Sequence, residues 1–289
     1  MNNQKKGTLY IVATPIGNLE DITYRAVRIL REVDLIAAED TRHSRKLLSH
    51  FGISNPLTSY FDHNKHLKGT VLLGKLMQGL SVALISDAGT PCISDPGYLL
   101  VRNAVELGIP VVPIPGPSAA LAALSASGLQ TDSFVFEGFL PNRQGKRRNK
   151  LLAIKEEERV IIFYESPNRL QATLLDILQI LGDREAVIAR EITKIYEEFT
   201  RGVVSQLITE YEKRQVKGEI VILVAPGENR TTTKEVSIPD LLDKFMGGDK
   251  LSLKDAVKRI AVETGIARTT VYIEALRLSG LNRAGSDDE

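Results

Sequence analysis

Residues 82–97 read VALISDAGTPCISDPG. A short apolar run of strand character, Val82 to Ile85, breaks at Ser86-Asp87 into a loop crowded with Gly89, Thr90, Pro91, Asp95, Pro96 and Gly97. A helical pattern begins at Tyr98 and stops at Gly108. A strand that ends in such a loop and feeds a helix is how α/β proteins open a crevice at the carboxyl ends of their strands. Gly89 has no Cβ, so a ligand can touch backbone there. Taken alone, the loop is equally well a connecting turn.

The pattern recurs through the first half. Leu9 to Ala13 is continuously apolar, as a strand buried on both faces should be, and it breaks at Thr14-Pro15-Ile16-Gly17. Residues 22–33 then have helical spacing, with Ile22, Ala26, Ile29 and Leu30 on one face and Arg25, Arg28 and Arg31 opposite. Leu35 to Ala38 ends in Glu39-Asp40, and Leu57 to Phe61 ends in Asp62-His63-Asn64. Val111 to Ile114 carries Pro113, which assigns it to an edge or a last strand. Ser118 is placed to cap the small-residue helix that starts at Ala119. The alternation predicts a mostly parallel, doubly wound sheet.

The second half reads as strands over 134–140, 160–164, 185–189 and 219–224, with helices over 170–181 and 203–213. Residues 142–150, NRQGKRRNK, form the one concentrated basic run. It is either a solvated helix start or a contact for a phosphate backbone. With no acid in the run, Arg143, Lys146, Arg147 and Arg148 are taken as RNA-binding candidates. Residues 225–239 read as a linker rich in Thr, Pro and Gly. Two short helices follow, broken at Gly265, and resemble a helix-turn-helix unit. The tail has more acids than bases, so a helical cap and an RNA-reading module both fit it. The domains expected are 1–116 and 117–228, both α/β, and 229–289, a linker with a small helical domain.

Composition narrows the classes. The net charge of +1 gives no whole-molecule argument for nucleic acid or membrane. The single cysteine, Cys92, forms no intrachain disulfide and fits a reducing cytoplasm as a buried, inert thiol. The four histidines, His43, His50, His63 and His66, lack zinc spacing, so no metal is expected. No apolar run approaches the roughly 20 residues of a membrane helix. The dinucleotide fingerprint, the phosphate loop and the Gly-x-Ser-x-Gly elbow are all absent.

Five stretches together carry a resemblance: YIVATPIGNLEDIT from residue 10, LIAAEDTRHSRKLL from 35, LISDAGTPCISDPG from 84, VVPIPGPSAALAALSASGL from 111 and FYESPNRL from 163. In this order they resemble the tetrapyrrole methylase superfamily, and within it a branch that acts on ribosomal RNA. The resemblance implies two α/β domains with S-adenosylmethionine in the cleft between them. It implies methyl transfer to the ribose 2′-hydroxyl of a cytidine in the 16S rRNA decoding region, with the small ribosomal subunit as partner, and a homodimer. By similarity the cofactor lies against Pro15, Ile16, Gly89, Thr90, Ile93, Ser118 and Ala119, and meets Tyr164, Arg190 and Glu219 from the second half. Tetrapyrrole-modifying relatives carry Gly-Asp-Pro where this chain has Gly89-Thr90-Pro91, which argues against a tetrapyrrole substrate. A small-molecule methyltransferase and a non-enzymatic ribosome or RNA binder are the alternatives. A ribose hydroxyl needs its proton accepted. Asp62 and His63 at a strand end are the first candidates, with Asn64 as an orienting group and Glu39 and Glu165 next.

Overall fold

The structure is a computed structural model that describes residues 6–95, 97–227, 238–248, 251–264 and 266–281. Pro96, Gly265 and most of the expected linker (228–237) lie outside the described residues.

Five strands make a wholly parallel first sheet: β1 (Leu9–Val12), β2 (Leu35–Ala38), β3 (Leu57–Ser59), β4 (Val82–Ile85) and β5 (Val111–Ile114). Their order is β3-β2-β4-β1-β5. Successive residues of each central strand enter opposite cores. Val12, Ile36, Ala38, Ala83 and Ile85 pack with Ala26, Ile29 and Leu30 of α1 (Tyr24–Glu32) and Leu48 of α2 (Thr41–His50). Leu9, Ala37, Val82 and Leu84 pack with Leu72 and Leu76 of α3 (Lys65–Met77) and Leu100 and Ala104 of α4 (Tyr98–Glu106). Helices on both faces explain why these strands read as unbroken apolar runs. Pro113 sits opposite Ile11 in β5, at the sheet edge where a missing N–H costs no ladder bond.

The second sheet is mixed. It comprises β6 (Phe134–Phe139), β7 (Val160–Glu165), β8 (Glu185–Arg190), β9 (Glu198–Val203) and β10 (Ile220–Val224), in the order β6-β7-β10-β8-β9. Only β6 and β7 run parallel; the other pairs are antiparallel. One face is covered by α6 (Gln144–Ala153), α7 (Leu170–Leu181) and α8 (Val204–Glu212). The other face carries Ala120, Ala123 and Leu124 of α5 (Ala119–Ser127), joined by Ile16 from the first half. The sequence reading missed β9. EFTRGV is half-exposed and pairs only with β8, so it lacks an apolar run.

The basic run requires a correction. It begins α6, but an acid does face it, from α7. Arg147 is buried and holds Asp176 through Nε at 2.7 Å and Nη2 at 2.6 Å. Arg148 Nε donates to the other Asp176 oxygen at 2.8 Å. Arg147 is therefore unavailable to RNA and Arg148 is committed to the same ion-pair network; Arg143 and Lys146 are exposed.

The two sheets form one compact unit, Met1–Gly227, with the change of sheet falling between β5 and β6. Glu228–Glu289 is a second unit. It contains α9 (Ile238–Leu242), a π-helical turn (Asp243–Gly248), α10 (Leu253–Thr264) and α11 (Arg268–Leu281). Its own small core includes Leu242, Phe245, Ala256, Val257, Ile260 and Val271.

Candidate active site

The loops that leave β1, β4 and β5 are tied to one another. Thr14 and Gly89 exchange backbone hydrogen bonds, Thr14 N–H to Gly89 O at 2.9 Å and Gly89 N–H to Thr14 O at 3.0 Å. The buried Thr14 hydroxyl donates to Ser86 O at 3.2 Å. Thr90 Oγ1 donates to Pro117 O at 3.2 Å, which brings in the connection from β5 to α5. Gly89 has φ +80°, a left-handed conformation that side chains disfavour. Cys92 and Ser94 in the same loop also have positive φ, 72° and 62°.

A second clamp joins β1 to the loop after β8. Asn18 N–H donates to Thr193 Oγ1 at 3.1 Å. Thr193 has φ 68°, an outlier for a β-branched residue. A Cβ on Gly17 would lie 2.5 Å from Lys194 Cγ, so only glycine lets that lysine stem pass.

These loops enclose a cavity of about 390 Å³, in the size range of small-molecule sites. Ile16, Gly89, Thr90, Ile93, Ser118 and Ala119 line one side, and Tyr164, Glu165, Ile192 and Glu219 the other. The ring of Tyr164 is fixed by edge contacts with Phe136 and Phe139, at 4.9 and 5.6 Å between centroids. The opposed sides follow from topology. Strand β10 runs antiparallel to β7, so Ile220 at its start pairs with Glu165 at the end of β7, and Glu219 directly precedes it.

The lining is electrostatically one-sided. Glu39, Asp87, Asp95, Glu165 and Glu219 contribute carboxylates, and no Lys, Arg or His lines the cavity among the described residues. Burial, then the charges of Asp95, Asp87 and Asp62, raise the Glu39 carboxyl above its ordinary 4.5. Burial likewise raises Asp95 above 3.8. Glu165 is compensated: it accepts from Thr173 Oγ1 at 2.6 Å and Ser166 N–H at 2.8 Å, and Arg169 Nε lies 3.3 Å away. Burial and Asp95 push the Cys92 thiol up to about 11, so it stays protonated and is no nucleophile at neutral pH. The arrangement suits a small molecule bearing positive charge that needs backbone contacts rather than cationic side chains.

Ten of the expected site residues thus share one cavity: the six on the first side, Tyr164, Glu219, Glu39 and Glu165. Five do not. Pro15 lines a neighbouring cleft. Arg190 is turned to its cross-strand partner Glu198, 3.0 Å away. Asp62 is exposed and paired with Lys65 at 3.0 Å, and His63 is exposed. Asn64 closes a turn, with Oδ1 accepting from Phe61 N–H at 2.9 Å. Strand β3, which these last three follow, is the edge strand furthest in the order from β1 and β5. None of the three lines the cavity, although the charge of Asp62 reaches Glu39. The sequence reading overlooked Asp95 and Ile192 as lining residues. An aspartate inside a Gly/Pro loop after a strand was the available signal for Asp95; Ile192 had none.

The family profile of the Tetrapyrrole (Corrin/Porphyrin) Methylases matches residues 8–208. The chain is 48% identical over 271 residues to the ribosomal RNA small subunit methyltransferase I of Halalkalibacterium halodurans, covering 92% of this chain and 94% of that one. It is 47% identical over 282 residues to the protein of the same name from Pseudomonas aeruginosa, covering 95% and 98%. A crystal structure of uroporphyrin-III C-methyltransferase from Thermus thermophilus, complexed with S-adenyl homocysteine, superposes with a TM-score of 0.55. It is 19% identical and covers 75% of this chain and 97% of that one.

Proposed function

Because the chain belongs to the tetrapyrrole methylase family, we propose that its cavity takes S-adenosylmethionine and that the methyl group goes to ribosomal RNA of the small subunit. The acceptor in this reading is the 2′-hydroxyl of a 16S cytidine. The observation that carries it is near-half identity, along almost the whole chain, to relatives named for that RNA.

The residues present fit the donor. S-adenosylmethionine supplies a methyl group activated on a sulfonium, and it carries an ammonium as well. Glu165 is paired with Arg169, and Glu219 with Lys194, 3.0 Å away. This leaves Glu39, Asp87 and Asp95 without an ion-pair partner among the described residues, and these three favour such a ligand by simple charge pairing. Gly89 and Ala119 offer backbone with little side chain in the way, and Ile16, Ile93 and Tyr164 offer apolar walls. Fixed loops keep the acceptor aligned, and orientation of this kind is worth roughly 7–11 kcal/mol in well-placed reactions.

Glu39 takes the acceptor's proton. Its carboxyl has no ion-pair partner among the described residues, lines the cavity, and is raised toward the working pH, as a general base requires. Glu165 is tied up by Thr173, Ser166 and Arg169 and positions rather than reacts. Arg143 and Lys146 remain open to an RNA backbone. The ribosomal subunit as partner, a homodimer and a cytoplasmic location are part of the same proposal, supported by the family resemblance and by the RNA substrate it assigns. No described helix is long and apolar enough to cross a membrane.

Mapping 2′-O-methyl groups on 16S rRNA from cells with and without the gene tests the reading. Loss of one cytidine methyl, restored by the wild-type gene and not by Glu39→Gln, is expected. An unchanged methyl map overturns it.

A further inference from the structure

Beside the main cavity lies a cleft of about 450 Å³ that the proposed methyl transfer leaves unexplained. The two share Ile16, Asp87, Ala88 and Glu219, so they are continuous at those residues. Away from the junction the cleft is walled by His43, Lys46 and His50 of α2. These lie at i, i+3 and i+7 and form one stripe along the helix. Arg42 and Arg45 stand on the adjacent exposed face, while Ser44, Leu47 and Leu48 are buried on the side toward the sheet.

Two features separate this patch from an ordinary solvated helix face. First, α2 contains no acid, and none of Arg42, Arg45 or Lys46 takes part in an ion pair among the described residues. The basic run on α6 differs in just this respect, because there Asp176 binds Arg147 and Arg148. Second, the helix is fixed to the cavity. Asp40 caps it by accepting from Arg42 N–H at 2.7 Å, and Asp40 N–H donates to Asp87 Oδ1 at 3.0 Å. Asp87 lines both spaces. The cations are thereby held at a set distance from the place where the methyl group is delivered.

We propose that the α2 face formed by Arg42, Arg45 and Lys46, with His43 and His50 in the cleft, binds the phosphates flanking the target ribose. It is then the principal RNA-positioning surface of the enzyme, in place of α6. This rests on the RNA-methyltransferase reading above. The sign of the charges fits the placement. At the junction Lys194, which also lines the cleft, pairs with Glu219 at 3.0 Å. The carboxylate of Asp87 is therefore the one left to face the cationic donor where it meets a neutral ribose, and the cations of α2 stand where phosphates follow. Salt then weakens RNA binding through these contacts, each phosphate contact contributing about 0.7–0.9 to the log–log slope.

The test compares full-length wild type with Arg42→Ala/Arg45→Ala/Lys46→Ala. Transfer of labelled methyl from S-adenosylmethionine to small subunits from cells lacking the gene is measured across salt, and donor affinity is measured by calorimetry. The expected result is a KM for the subunit raised about tenfold or more, and a salt slope smaller by about 2, with donor affinity within twofold of wild type. Arg42→Lys/Arg45→Lys should restore most of the KM, and Lys155→Ala/Lys213→Ala, on exposed positions elsewhere, should leave it unchanged. An unchanged KM and slope in the triple variant overturn the proposal and leave the methyltransferase reading standing. Donor affinity lost along with KM also overturns it, since the helix then acts on the cavity and not on RNA. A wild type that binds the donor but methylates no rRNA overturns both.

Discussion

Gly89 and Glu39 show how single residues set this site. A Cβ on Gly89 would meet Ile16 Cγ2 at 3.5 Å and Pro117 O at 3.8 Å, which is ordinary contact. The constraint is the backbone, at φ +80°. Gly89→Ala should therefore cost about 1–2 kcal/mol in denaturant melts. Gly89→Val should lose donor binding by calorimetry while still melting cooperatively, because relieving the strain breaks the pairing with Thr14. Glu39 works through charge. Its carboxyl, like that of Asp95, is harder to ionise folded than unfolded. Such groups weaken the ligand-free fold as pH rises from the ordinary carboxylate value through the raised one. A bound cation reverses the shift, so donor affinity should rise with pH over that window, with proton release detectable by calorimetry in two buffers. Glu39→Gln should raise the melting temperature of the ligand-free protein at pH 7 and lower methyl transfer by about 10²–10⁴-fold.

At the scale of elements, the contrast is between two basic helices that look alike in sequence. On α6, burial raises Asp176, but hydrogen bonds from Arg148 and Arg147 outweigh it and hold its carboxyl below the usual range. Arg147→Ala leaves Asp176 held by Arg148 on one oxygen only and should cost about 1–3 kcal/mol by denaturant unfolding; Arg143→Ala/Lys146→Ala should leave the unfolding midpoint in place. The partner was illegible because Asp176 lies on a different helix, within an amphipathic pattern that gives no sign of which way it faces. The first sheet was legible because strands covered on both faces are continuously apolar and end in Gly, Pro or Asp. The tips of β1, β4 and β5 were legible for the same reason. What the sequence does not carry is strand order. Asp62 and His63 follow a strand just as Glu39 does, yet β3 lies at the end of the sheet furthest from β1 and β5, whose loops build the cavity. Arg190 ends a strand too, but the antiparallel register sets it against Glu198, on the strand that periodicity failed to reveal.

For the whole molecule, the cavity belongs to one compact unit. Every residue that lines it falls within Met1–Gly227, and Glu228–Glu289 has a hydrophobic core of its own. A chain ending at Gly227 should consequently keep donor affinity within about threefold of the full chain, about 0.65 kcal/mol by the usual conversion, as measured by calorimetry. Within that unit, loops from two differently built sheets meet around a pocket with five carboxylates and no lining cation. The account stands on that pocket being the donor site. Titrating S-adenosylmethionine into the full-length protein tests it most directly. One molecule bound per chain, with binding abolished in Gly89→Val, is the predicted result; a folded wild type that gives no binding, or a Gly89→Val protein that binds as well as wild type, would contradict it.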